Sequence, residues 1–177
     1  QTNQMKKNTI FKNESEFNLN SIKTVRVKDI NYLVKRALKS KRKRYRFCLH
    51  ENTNHLTQEM IICFNGFTYI RPHRHLSKRS ESYHMIKGSM DVYLFNNNGK
   101  VRDIIRLNAN KSDKNSIFFY KLSKSIFHTI YPRSKQTIYH EVLTGPFNEK
   151  NLIQASFAPK NGCSEEEAKN FFKSLKK

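Results

Sequence analysis

Apolar positions recur at helical spacing over Ile30, Leu33, Val34, Ala37 and Leu38, and Asp29 stands where an N-cap belongs. A short amphipathic helix is predicted there. From Tyr45 to about Val142 the pattern changes to β-rich runs: Ile61-Ile62-Cys63-Phe64, Asp91–Phe95, Val101–Ile105, Ile117–Tyr120 and Thr137–Val142. Asn96-Asn97-Asn98-Gly99, between two of these runs, is a hairpin signal. Strands joined by short turns, with no helices between them, predict a mainly β, antiparallel body, which a double-sheet jelly-roll barrel satisfies. Near the end, Ser164-Glu165-Glu166-Glu167 reads as a capping box, and Ala168, Phe171, Phe172 and Leu175 then share one face of a terminal helix. Residues 1 to about 20 are polar with little periodicity. With no internal repeat, low-complexity tract or proline-rich linker, the expected organisation is a polar arm over 1–28, one domain with its leading helix over 29–160, and a C-terminal helix over 161–177.

A chain of 177 residues has room for one real core and needs no disulfide staple. Its three cysteines, Cys48, Cys63 and Cys163, have no paired spacing, so a reduced, cytoplasmic protein is expected. No apolar run approaches the roughly 20 residues that span a bilayer. Gln1 to Gln4 precede Met5, which is the expected native start. The net charge of +20 is densest over Lys35–Arg46. No helix-turn-helix, zinc finger or aromatic RNA-binding motif accompanies it, so nucleic acid is not the expected partner. A solvated basic face and an anion-binding role both remain open, the anion being a nucleotide sugar, a membrane leaflet or a nucleic acid track.

Candidate chemistry centres on His73-Arg74-His75. Alternate strand positions share a face, so His73 and His75 project together, with Tyr69 and Arg71 at the same parity. Glu81 can add an oxygen ligand and His128 a third imidazole, a set suited to one divalent first-row ion such as zinc, iron, manganese or nickel. The plainer reading of a histidine pair is a polar rim, but converging imidazoles and a carboxylate are costly to bury without a cation. His84 has the opposite parity to Glu81. His50, His55 and His140 are expected to pack or hydrogen-bond. Glu141 and His140 point opposite ways, and which faces the interior is open. Arg71 can meet a substrate anion; Arg44 and Arg46 share a face and are read either as surface charge or as a phosphate contact.

The spacing of His73, His75, Glu81 and Gly88 resembles the first cupin metal motif, and Leu122–His128 resembles the second. One extra residue separates His75 from Glu81, and Ser123 and Ser125 replace the usual proline and glycine. Arg44–His50, Tyr69–His75, Leu94-Phe95 with Asn98-Gly99-Lys100, Phe127–Thr129, Glu141, Gly145-Pro146-Phe147 and Phe157-Ala158-Pro159 resemble the WbuC family of cupin-fold metalloproteins, over roughly residues 30 to 160. The resemblance implies a metal-binding cupin double-stranded β-helix connected with O-antigen and other surface polysaccharides.

From the surface-polysaccharide connection that the resemblance implies, the expected small-molecule ligand is a sugar or nucleotide sugar. The metal would act as a Lewis acid in isomerisation or epimerisation. Glu141, His140 or Tyr69 are candidate bases, with Tyr131 beside them as base or substrate contact, and Arg71, Arg44 and Arg46 hold the anionic part. A non-haem iron oxygenase and a non-catalytic ligand-binding or regulatory cupin are the alternatives. Pairing of edge strands into a homodimer is a further expectation.

Overall fold

The computed structural model describes residues 9–76 and 79–175. The expected native start at Met5 lies outside the described residues. Among the described residues, twelve strands form two sheets. The first runs, in spatial order, β1 (Thr9–Lys12), β2 (Ser15–Asn18), β3 (Arg44–Cys48), β4 (Thr57–Asn65), β11 (Gln136–Thr144), β6 (Glu81–Lys87) and β9 (Phe119–Leu122). The second runs β12 (Leu152–Gln154), β5 (His73–His75), β10 (Phe127–Pro132), β7 (Ser89–Phe95) and β8 (Val101–Asn108). Pairing is antiparallel except between β2 and β3.

Strand alternation sorts the side chains. Cys48, Met60, Ile62, Phe64, Tyr83, Met85, Met90, Val92, Leu94, Ile130 and Tyr139 fill the space between the sheets. The opposite face of β3 and β4 is covered by α1 (Val27–Lys39), where Leu33 and Ala37 pack on Tyr45, Phe47, Ile61, Cys63 and Ile138. The outer face of the smaller sheet is covered by α2 (Glu165–Ser174), whose Phe172 meets Tyr93, Tyr131, Phe67 and Tyr69 edge-on. Ser164 caps α2 by accepting the Glu167 N–H at 3.1 Å, one of the two bonds of the expected capping box. Asn96–Gly99 makes the turn between β7 and β8, with Gly99 at φ +83°.

Two local expectations are corrected. Asp29 is not the N-cap of α1: the helix begins two residues earlier, and the Asp29 carboxylate accepts the Arg26 N–H from within the first turn, at 2.8 Å. The stretch read as a polar arm contributes a hairpin, β1 and β2, with β2 docked on β3. Such short strands take their order from a tertiary partner rather than from periodicity of their own. Cys48, Cys63 and Cys163 are free thiols, and among the described residues no helix is long and apolar enough to cross a membrane.

Gly88 closes the tight turn between β6 and β7 at φ +76°, where a Cβ would lie 2.3 Å from the Gln136 carbonyl oxygen and 2.9 Å from the Ser134 Cβ. Backbone on one side and strain on the other leave no accommodation, so Gly88→Ala is expected to destabilise by roughly 3 kcal/mol. Thermal unfolding of the purified variant checks this.

Candidate metal centre

The histidine strand β5 lies beside β10, with His73 directly opposite His128. Both, like His75, have the parity that faces the space between the sheets; Arg74, between them, points outward over the Phe127 ring. Glu81 comes from the other sheet, as the first residue of β6, at the same inward parity as Tyr83 and Met85. The site is thus assembled across the two sheets. Potential ligand atoms of His73, His75 and His128 all lie within 4.8 Å of one another. Glu81 Oε2 is 2.7 Å from His128 Nε2 and 3.7 Å from His75 Nε2.

Two backbone carbonyls fix the histidine tautomers. His73 Nδ1 lies 3.0 Å from the Arg71 carbonyl oxygen and His128 Nδ1 lies 2.9 Å from that of Ile126. A carbonyl oxygen only accepts, so each Nδ1 carries the proton and each Nε2 presents its lone pair, the arrangement that favours metal ligation. His75 Nε2, His128 Nε2 and Glu81 Oε2 are buried and make no well-aligned hydrogen bond; their contacts are the two ion-pair distances to Glu81. Three buried polar atoms that converge on one another without an aligned hydrogen bond fit a cation, because imperfectly satisfied buried polar groups are costly.

The electrostatics follow from this crowding. Burial alone would raise the Glu81 carboxyl, but the His128 and His75 rings beside it hold it well below the usual carboxylate range. Burial opposes charge on His128, and Glu81 outweighs that opposition, raising the ring above its ordinary value. His73, farther from the carboxylate, is pushed down to about 4 by burial and by His128.

Glu141 on β11 also faces inward. Burial and the neighbouring Glu81 push its carboxyl up to about 8, against the pull of Arg46, His128 and Tyr139. His140 faces outward, its Nε2 2.9 Å from Glu59 Oε1. The open choice between these two residues is thereby resolved: α1 covers the His140 side of the sheet and leaves Glu141 inside. Arg44 and Arg46 share the inward face of β3. Arg44 is largely buried, which pushes its guanidinium down to about 10; its Nε lies 3.6 Å from Glu14 and has no hydrogen-bond partner.

Three other candidates lie elsewhere. Tyr69 donates its hydroxyl to the Pro159 carbonyl at 2.8 Å, under α2. Arg71 donates to the Ala155 carbonyl through Nε and Nη2, at 3.0 and 2.7 Å, and lines a surface cleft with Lys160 and Cys163. Both corrections have one cause. β5 is three residues long, and alternation does not extend into the irregular chain before His73. Tyr131 has outward parity on β10, meeting Phe172 edge-on with the Arg133 guanidinium over its ring. Tyr83, Tyr120 and Tyr139 face inward instead, and next to the two carboxylates stand Tyr83 and Tyr139, whose rings meet at 5.3 Å. Their signal was present as Glu81-Ser82-Tyr83 and Tyr139-His140-Glu141, where equal parity places each tyrosine beside a carboxylate.

The family described as Domain of unknown function (DUF6016) matches residues 25–107. No curated protein matches the sequence. Among solved structures, a protein with a double-stranded β-helix domain from Klebsiella pneumoniae subsp. pneumoniae is similar, at 14% identity over 77% of this chain and 98% of that one, with a TM-score of 0.51. A protein from Shewanella oneidensis shares 10% identity over 64% of this chain and 73% of that one, with a TM-score of 0.50. A cupin superfamily protein from Desulfitobacterium hafniense gives 9% identity over 57% and 76%, at a TM-score of 0.43. The chain has the cupin fold. Within this fold, His73, His75 and His128 form a cluster able to hold a metal ion, and it lies inside the barrel.

Proposed function

We propose that this cupin binds one divalent transition metal through His73, His75, Glu81 and His128, and that the centre binds and interconverts a small oxygen-rich ligand, a sugar or nucleotide sugar. The observation that carries this reading is the convergence of the buried Nε2 atoms of His75 and His128 on Glu81 Oε2, at 3.7 and 2.7 Å, with no aligned hydrogen bond among them. When bound, the ion supplies Lewis-acid polarisation of a carbonyl or hydroxyl oxygen. Glu141 moves the proton: a carboxyl held at about 8 both accepts and returns a proton near neutral pH. Arg46, close enough to lower Glu141, balances an anionic group of the ligand, and Arg44 extends that positive edge along β3. Tyr83 and Tyr139 wall the space with buried rings that exclude water. The resemblance to the WbuC family supports a setting in surface-polysaccharide synthesis.

Thermal-shift screening of metal-loaded protein against nucleotide sugars and sugar acids tests the reading. Stabilisation by one of these ligands is expected, present only with metal and weakened in Arg46→Met. Its absence throughout the screen overturns the sugar assignment. Oxygen uptake by iron-loaded protein would assign oxygenase chemistry instead.

A further inference from the structure

Apart from Arg44 and Arg46, the barrel centre makes no use of the strongly basic N-terminal part of the chain. Residues 1–50 contain fourteen lysines and arginines and only three acidic residues, Glu14, Glu16 and Asp29. All three are occupied or turned inward: Glu14 pairs with Arg42, while Glu16 and Asp29 are buried against α1. Within residues 9–50, therefore, no acidic side chain is left over for the exposed lysines of α1.

At about 100° per residue, Lys28, Lys35 and Lys39 fall on one outward stripe of the helix, opposite the buried Leu33 and Ala37. All three are exposed and none has an ion-pair partner among the described residues. Lys41, Arg42 and Lys43 continue the charge past the helix end, also exposed. Apolar side chains flank the stripe on both sides. Val27 is 80% exposed and Leu38 50% exposed on one side; Tyr32 and Phe11, the latter 55% exposed, lie on the other, with the Arg36 guanidinium 6.0 Å from the Phe11 ring.

We propose that this face of α1, together with Phe11 of β1, docks on an anionic lipid surface. Lysines in a row meet a plane of negative headgroups, and the flanking aliphatic and aromatic side chains reach the acyl boundary, as in an interfacial amphipathic helix. Charge alone would equally suit a phosphate backbone. The exposed Val27 and Leu38 decide between them, because aliphatic side chains neither stack on bases nor contact phosphates, whereas they gain by leaving water at a membrane. The inference is independent of the metal centre.

Sedimentation of the full chain with vesicles tests it, comparing phosphatidylcholine alone with phosphatidylcholine containing phosphatidylglycerol. Binding is expected only to the anionic vesicles and falls as salt rises. Replacing Lys28, Lys35 and Lys39 together by glutamine is expected to weaken binding about a hundredfold, at about fivefold per lysine. Leu38→Ser, which changes no charge, is expected to weaken it about tenfold. Replacing Lys114, Lys121 and Lys124, exposed on β9 and its flanking loops, removes the same charge and is expected to leave binding nearly intact. Three results overturn the proposal: no preference for anionic vesicles, an equal loss in the two triple variants, or unchanged vesicle binding by Leu38→Ser alongside capture of duplex DNA or RNA by the same lysine stripe.

Discussion

Replacing His128 by alanine is expected to abolish metal occupancy. Structural four-ligand sites hold their ion with about 10–16 kcal/mol, so one ligand is worth roughly 3 kcal/mol, about a hundredfold in affinity. His128→Ala also strips Glu81 of the ring at 2.7 Å that offsets its charge, and a buried carboxylate left alone costs about 3–5 kcal/mol of stability. His73→Ala separates the two effects, because His73 lies farther from the carboxylate and its removal takes a ligand without isolating Glu81. Elemental analysis of protein purified without an affinity tag should find metal in the parent and little in either variant. In the parent, metal at about 100 times its Kd should stabilise by about 2.7 kcal/mol. For a chain of this size that raises Tm by roughly 5–10 °C, a rise absent in both variants. Affinity should also weaken as pH falls through the range where His128 takes up its proton, which begins above the usual histidine value because Glu81 raises it. Full occupancy in both variants would remove the ligand assignment.

The second large effect belongs to Glu141. Glu141→Gln keeps the shape of the side chain and removes its titration, so turnover of a ligand found by the thermal-shift screen is expected to fall about 10²–10⁴-fold while metal content stays unchanged. Deuterium uptake from solvent at the carbon beside the carbonyl measures the proton transfer directly. The sign with pH follows from the raised carboxyl. A base that must be ionised gains activity as pH climbs through about 8, and the variant should lose that limb of the profile. Uptake within threefold of the parent would place the base elsewhere.

Much of this was legible from local pattern. The β body, the Asn96–Gly99 turn, the Ser164 cap and the shared face of His73 and His75 all depend on neighbours within a few residues. What was not legible depends on partners far along the chain. Parity says that Glu141 and His140 oppose each other, but only the packing of α1 on Ile61, Cys63 and Ile138 decides which side is interior. Tyr69 and Arg71 illustrate the converse: alternation was carried back into four residues that never join a sheet, and their polar groups found carbonyls of the 155–159 segment. The hairpin over residues 9–18 has no periodicity to display and exists through its register with β3.

Glu81 belongs to the larger sheet, whereas His73, His75 and His128 belong to the smaller. A captured ion would therefore act as a rivet through both leaves of the barrel. Prising the leaves apart would strip the ion of its carboxylate, leaving only the three imidazoles of the smaller leaf to hold it.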